Sequence, residues 1–305
     1  MEAIVAIPDS LLHHVAHNRR HPKSLYSRSL NVVVSQWHDV LDKVERFQWT
    51  FALTQKDDSF REIITSYRAL LFSLYEHLDA SYGCVRALIP PKGANDPLLD
   101  TQFLDRAKVL GWSDFRARVR PYVQNRIGAV VNSLKHNQAE LAFIYLHRFE
   151  DVRFGYYVRD VQNSGALGPS TRVHADGNSA FSFARDMLIH FWNLYFVSSE
   201  LAALIHHIVP ESKQESPKLQ DDSLNSMFER LAQRVSSIPL AFFPDEIRMP
   251  CPLVRWNPIA SELTIAMPGA VRSRRLPKTY QIVSSLNVDI AHASNKLPYF
   301  GRNAA

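Results

Sequence analysis

The sequence predicts a mainly α protein, in which a helical bundle carries an inserted β hairpin and an irregular, partly β C-terminal extension. Apolar residues recur at helical spacing over long segments. Only 10 of the 305 residues are glycine, which is few for an α/β fold with its many strand–helix turns. We therefore divide the chain into an N-terminal arm with a short helix (1–23), a bundle with its hairpin near 154–174 (24–237) and an extension (238–305). Prolines interrupt that extension at positions 244, 250, 252, 258, 268, 277 and 298.

The first third of the chain predicts a series of helices. Ser10 is suited to cap a short helix that Pro22 would end. Apolar residues at helical spacing predict a second helix over about 25–51 and a third over 60–78, which has the most regular pattern of the chain. A shorter helix is predicted over 98–110.

The middle of the chain combines helices with a hairpin. A helix beginning at Ser113 contains Pro121, and proline is tolerated only in a first turn. We therefore predict a short helix ending near Arg118 and a long helix from Pro121 to about Arg148. The segment 154–161 is predicted as a strand, with 171–174 returning as its partner.

Two more helices and several short strands complete the prediction. The helices are expected over about 178–207 and 224–235, separated by a polar, proline-containing loop. Within the extension, 263–266 and 280–283 are short apolar runs typical of strands.

Charge and composition narrow the function classes. The formal net charge is +5 and the pI about 9.2, a mild basic excess that favours an anionic partner such as RNA. The sequence contains no GxxxxGK[ST], GxGxxG, GxSxG or HExxH pattern. This disfavours phosphate-loop NTPases, dinucleotide-binding domains, α/β-hydrolases and thermolysin-like proteases, and we expect no cofactor.

Cysteine usage and hydropathy predict a cytoplasmic protein that does not enter a membrane. The two cysteines, Cys84 and Cys251, form no CxxC pair, which excludes a thiolate zinc site and favours a reducing compartment. The N-terminus lacks the basic start of a signal peptide. The most apolar window, 187–197, is too short and too polar to span a bilayer. His13, His17 and His21 are spaced by four, but no carboxylate supports them, so we expect no metal there.

Arg185, Asp186 and His190 form the most informative local pattern, near the start of the long apolar helix. Five helical positions separate Arg185 from His190, about 140° of rotation and about 7.5 Å of rise, so two long side chains can still converge on one ligand. A guanidinium binds phosphate in bidentate fashion and an imidazole transfers protons near neutral pH. The ordinary structural alternative places the carboxylate at the positive helix end and the histidine in packed surroundings.

This segment resembles the HEPN superfamily, helical nucleotide-binding bundles of prokaryotic toxins and defence proteins. Its ribonucleases carry an arginine, usually followed by a polar residue, and then a histidine after four to six residues; Arg185 and His190 have four residues between them. The resemblance implies a homodimer in which two such motifs meet, and metal-independent RNA cleavage by 2′-OH attack. It also implies that Arg185 binds the scissile phosphate, His190 is the general acid or base and Asp186 orients one of them.

A second candidate surface lies on the predicted helix after Pro121. Asn132 and His136 fall roughly opposite its apolar face, with Lys135 beside His136 and His147 further along the same predicted stripe. They form either a solvated helix face or an RNA-binding stripe beside the arginine and histidine.

Two functions therefore remain. The first is a HEPN-like endoribonuclease that acts as a toxin or antiviral effector, and the second is a non-catalytic helical subunit that binds a partner in a toxin–antitoxin or defence complex. A cleft open to solvent and shared by Arg185 and His190 would favour the enzyme. Burial of both groups within one protomer would favour the binding protein.

Overall fold

The computed structural model describes residues 2–54, 60–93, 96–137, 139–148, 151–174, 177–210, 222–267, 281–284 and 294–299. Helix is the dominant structure, at 57%, and the strands form small antiparallel sheets. The prediction of a mainly α protein is confirmed.

Two long helices form the centre of the main core. Helix α2 spans Pro22–Thr54 and α3 spans Phe60–Arg86, and they pack along one another. Both helices were predicted from their apolar spacing, and the structure extends each beyond the predicted end. Their buried residues follow the 3.6-residue period, with α2 contributing Val33, Val34, Trp37, Val40 and Leu41, and α3 contributing Ile63, Tyr67, Leu70, Leu71 and Leu74.

The N-terminal segment differs from the prediction. Residues Glu2–Val5 form the short helix α1, and Asp9–Leu11 form a single 3-10 turn in place of a longer helix. Pro22 begins α2 and does not end a helix before it, because proline has no N–H to lose in a first turn. Ala3, Ile4 and Ile7 are buried in the main core, so this part of the predicted arm packs against the helices.

The helices after residue 98 are shorter than the sequence suggests, and Pro121 lies inside one of them. Helix α4 spans Asp100–Ala107, and α5 spans Trp112–Tyr122 with Pro121 in its last turn. A π-helical turn, Val123–Ile127, follows at once and leads into α6, Gly128–His136. The predicted break before Pro121 is therefore wrong. The helix continues through the proline and into the wider π-helical turn that follows it.

Glycine is required where the π-helical turn closes. The Gly128 N–H donates to the Val123 carbonyl. A side-chain carbon at position 128 would overlap that same oxygen, so only glycine fits the wide turn.

The predicted helix from Pro121 to Arg148 is wrong over its second half. It ends at His136, and Glu140–Arg148 form strand β1, which pairs antiparallel with β2, Asp151–Val161. Leu141 and Phe143 face the main core, whereas Ala142, Ile144 and Leu146 face a second core cluster. A strand buried on both faces is continuously apolar, and periodicity does not distinguish it from a buried helix.

The rest of the sheet is built around β2. The strand predicted over 154–161 is confirmed, but its return segment is β3, Leu167–Pro169, and the predicted 171–174 forms a turn. Strand β4, Phe181–Ser182, also pairs with β2, where Ser182 lies opposite Gly155. A side-chain carbon on Gly155 would overlap the Phe181 carbonyl oxygen, so glycine permits this close approach.

Strand β4 leads directly into α7, Phe183–Ile208, with the Ser182 side chain accepting from the Arg185 backbone N–H. Helix α8 spans Asp222–Ser236. By length and composition α7 is the one helix in the described part of the chain that could cross a membrane, but half of its apolar window is buried inside the protein. Soluble core helices have the same property, so this is weak evidence for a membrane.

Within its described residues, the extension contributes three strands. Strands β5, Leu253–Asn257, and β6, Glu262–Ala266, form a separate hairpin that packs on α7 and α8. Strand β7, Gln281–Ser284, pairs with β1 at the edge of the larger sheet. Phe243 and Tyr299 belong to the second core cluster, so the extension packs against the sheet.

Candidate functional site

The Asp186 carboxylate is the centre of a buried polar network. Asp186 has no exposed surface. The hydroxyls of Tyr67 and Tyr156 donate to its Oδ2 at 2.7 and 2.6 Å. The Arg126 Nε donates to Oδ1 at 3.0 Å, with its Nη2 on the same oxygen, and the His190 Nε2 lies 3.2 Å from Oδ2.

Four elements supply this network, and the π-helical turn accounts for the arginine. Tyr67 comes from α3, Tyr156 from β2, and Asp186 with His190 from the first turns of α7. Arg126 lies in the π-helical turn, where the altered period directs it toward Asp186. Its guanidinium also lies 3.9 Å from the centre of the Phe181 ring, a cation–π contact that covers the outer side of the network.

The network contains the negatively charged Asp186 carboxylate, the Arg126 cation and neutral tyrosine phenols. Burial by itself would raise the pKa of Asp186, but Arg126 and His190 hold that pKa well below its ordinary value. Burial raises the pKa of Tyr67, Tyr122 and Tyr156, and the Asp186 charge raises it further. The phenols therefore stay protonated and act as hydrogen-bond donors to an ionised carboxylate.

His190 is enclosed inside the protomer. Only 1% of its surface is exposed. Its Nδ1 is hydrogen-bonded to the Tyr122 hydroxyl at 2.9 Å, and the two rings contact edge to face. One ring nitrogen thus faces Tyr122 and the other faces Asp186.

Arg185 points away from this network. Its Nη2 donates to the Pro250 carbonyl at 2.8 Å, and its Nη1 lies 3.6 Å from the Glu246 carboxylate. Glu246 in turn accepts the backbone N–H groups of Ser182 and Phe243. Arg185 therefore joins the start of α7 to the extension, and it has no partner in common with His190 among these contacts.

Burial also limits access to Arg185, whose surface is 7% exposed. A cavity of about 330 Å³ beside the start of α7 is lined in part by Phe183, Ala184 and Met187, and neither Arg185 nor His190 lines it. The expected convergence of these two groups on one ligand does not occur within the protomer.

Asn132, Lys135 and His136 are exposed on α6. The Lys135 Nζ lies 5.2 Å from the Phe72 ring centre and 5.1 Å from that of Tyr75, both on α3. His147 does not continue this stripe, as the sequence suggested, because it lies on β1. The exposed surface is therefore one turn of α6 beside two aromatic rings.

The N-terminal histidines do not form one helical face. His17 and His21 lie in and beyond a series of turns, with His17 hydrogen-bonded to the Ile89 carbonyl at 2.7 Å and His21 to Asp9 at 3.2 Å. Among the described residues, no group of three or more histidine, cysteine, aspartate or glutamate side chains is arranged to hold a metal ion.

No protein-family model, curated protein or solved structure matches this chain. The resemblance to the HEPN superfamily therefore remains a prediction from the short pattern at Arg185–His190.

The sequence prediction included Asp186 and His190 but missed Arg126, the three tyrosines and Glu246. Tyr67 offered a signal, since it occupies an apolar position of α3 and a buried hydroxyl needs a partner. Arg126 offered none, because its direction depends on the π-helical turn.

We expect Asp186→Asn to lower the free energy of unfolding by about 3–5 kcal/mol at neutral pH, because Arg126 would be left without its buried counter-charge. The deficit should shrink as the pH falls below about 4, where wild-type Asp186 loses its advantage by protonation. Urea unfolding measures both effects. Asp114→Asn is the matched control, as this exposed acid also lies in a first helical turn; equal losses in both variants would contradict the role of the network.

Glu246 gives the free energy of unfolding the opposite pH dependence. Burial raises the pKa of Glu246 from 4.5 to about 7, against the lowering effects of Ser182 and Arg185. Since the folded state retains this proton longer than the unfolded state, stability should fall as the pH rises from about 4.5 to 7, by at most about 3 kcal/mol. Glu246→Gln should abolish that component of the slope in urea unfolding between pH 5 and 8, and an unchanged slope would refute it.

Proposed function

We propose that this protein is a non-catalytic helical binding protein. The observation that carries the proposal is that Arg185, Asp186 and His190 are buried and already bound to groups of their own protomer. Cleavage of RNA would require the arginine and the histidine to reach one phosphodiester. Instead, the two side chains join separate parts of the fold.

The network favours a structural role for these residues. Removing charges from water is costly, and their mutual attraction offsets that cost only when further hydrogen bonds are made. Asp186 meets this condition through Tyr67, Tyr156 and Arg126. A phosphate entering the network would have to displace the Asp186 carboxylate from its partners, and the two negative charges would then repel one another.

Exposed apolar side chains support a protein partner. Val15, Leu98, Leu99 and Leu110 are 78%, 90%, 60% and 71% exposed. Two hydrogen bonds join their segments, because Arg19 donates to the Leu98 carbonyl and Lys92 to the Ala107 carbonyl. Exposed apolar side chains that form one contiguous patch are typical of interaction sites. Membership of a toxin–antitoxin or defence complex, and a homodimer, remain predictions.

The binding function predicts that the protein leaves RNA intact. Wild type, Arg185→Lys and His190→Gln should all fail to cleave RNA in the presence of a chelator, and expression of each should leave bacterial growth unaffected. Gel analysis of the RNA measures cleavage, and thermal unfolding identifies any variant that is not folded. Metal-independent cleavage to 2′,3′-cyclic phosphate ends by wild type, lost in both folded variants, would establish the endoribonuclease instead.

A second candidate function is RNA binding without cleavage, favoured by the exposed Asn132, Lys135 and His136 beside Phe72 and Tyr75. Cations supply affinity for phosphate, and aromatic faces accept stacked bases. If this surface binds single-stranded RNA, Lys135→Ala should weaken binding and reduce the slope of log K against log salt by about 0.7. Fluorescence anisotropy measures both. Arg248→Ala removes another exposed cation as a control, and equal effects of the two variants would exclude a specific surface.

A further inference from the structure

A cavity of about 500 Å³ lies between α2, α7, α8 and the β5–β6 hairpin. None of the residues that line it belongs to the Asp186 network, and the function proposed above does not use it. Its volume falls within the range of small-molecule sites, which are mostly apolar with a few polar groups. Four aromatic residues from all four elements line it, namely Tyr26, Tyr195, Phe228 and Trp256.

Two of these rings are nearly perpendicular to one another. The ring centres of Tyr195 and Phe228 are 6.5 Å apart and their planes meet at 78°. Trp256 lines the cavity from the β hairpin. All three are partly buried, and burial raises the pKa of Tyr195 to about 12, so its phenol is neutral. Aromatic faces carry partial negative charge and attract cations, most strongly when several faces surround one cation.

The polar groups of the cavity have complementary roles. Glu229 is exposed at the cavity, and the ion pairs found among the described residues do not include it. The Trp256 Nε1 is enclosed in the described part of the chain, with no surface that a ligand in the cavity could reach, so Trp256 contributes its ring and not its N–H. At the inner wall, the hydroxyls of Tyr26 and Ser198 already have a hydrogen-bond partner, because they bond to one another at 2.8 Å.

We propose that this cavity binds a quaternary ammonium compound. The cation lies against the rings of Tyr195, Phe228 and Trp256, and the Glu229 carboxylate, which lines the same cavity, supplies the counter-charge. A neutral ligand of the same shape would leave the carboxylate without a partner, and an anionic ligand would be repelled by it.

Choline is the first probe, because it carries the quaternary ammonium group, and 3,3-dimethyl-1-butanol is its neutral isostere. Titration calorimetry should show choline binding at least about tenfold more tightly than the isostere. The indole N–H resonance of Trp256 should shift on addition of choline in a ¹⁵N correlation spectrum. Equal binding of choline and the isostere would overturn the proposal.

Variants test the individual contacts. Glu229→Gln should weaken choline binding at least about fivefold, and because Glu229 is exposed the fold should remain intact. Trp256→Phe leaves a smaller ring whose face attracts a cation less strongly, and it should weaken choline binding more than binding of the neutral isostere. Glu262→Gln changes an exposed acid on the same hairpin outside the cavity and should have no effect; a loss equal to that of Glu229→Gln would refute a local role.

Two further probes distinguish between the natural sources of the cation. Glycerophosphocholine presents the group as a lipid headgroup does, and Nε-trimethyl-lysine presents it as a modified protein does. Tighter binding of either probe than of choline assigns the source, and tightest binding of choline assigns a free metabolite. Each of these results supports the site, whereas failure of all three probes overturns it.

Discussion

The Asp186 carboxylate is a fully buried negative charge, and the meeting point of α3, the π-helical turn, β2 and α7 is arranged around it. The first three contribute hydrogen-bond donors to its two oxygens, and α7 adds His190, whose Nε2 lies 3.2 Å from one of them. An uncompensated charge at this depth would cost several kcal/mol. The elements must therefore approach in one relative arrangement, and that requirement links the helices to the sheet.

Two glycines make this arrangement possible. Gly155 lets β4 approach β2 closely, which brings the N-terminus of α7 onto the sheet. Gly128 lets the chain close a π-helical turn, which directs Arg126 inward. Both positions serve the same carboxylate although they are far apart in sequence. The extension adds a second connection to α7, since Glu246 and the Pro250 carbonyl hold Arg185.

The pattern that resembled a ribonuclease has a physical explanation without catalysis. Arg185 lies on one side of the helix, whereas Asp186 and His190, four residues apart, share another side, and the two sides meet different neighbours. Arg185 faces the extension, whereas Asp186 and His190 face the network. Spacing along a helix constrains direction, but the packing around that helix decides whether the side chains meet water, a ligand or other residues.

The sequence by itself determined the mainly α class and the long helices α2, α3, α7 and α8, because their apolar residues follow one period over many turns. It did not determine β1, whose apolar residues face two cores, so its pattern fits a buried helix equally well. It also did not determine the partners of Asp186, Arg185 and Glu246, since these lie far apart in the chain. Only the tertiary structure decided them, because the burial that sets their charge and partners comes from elements distant in sequence.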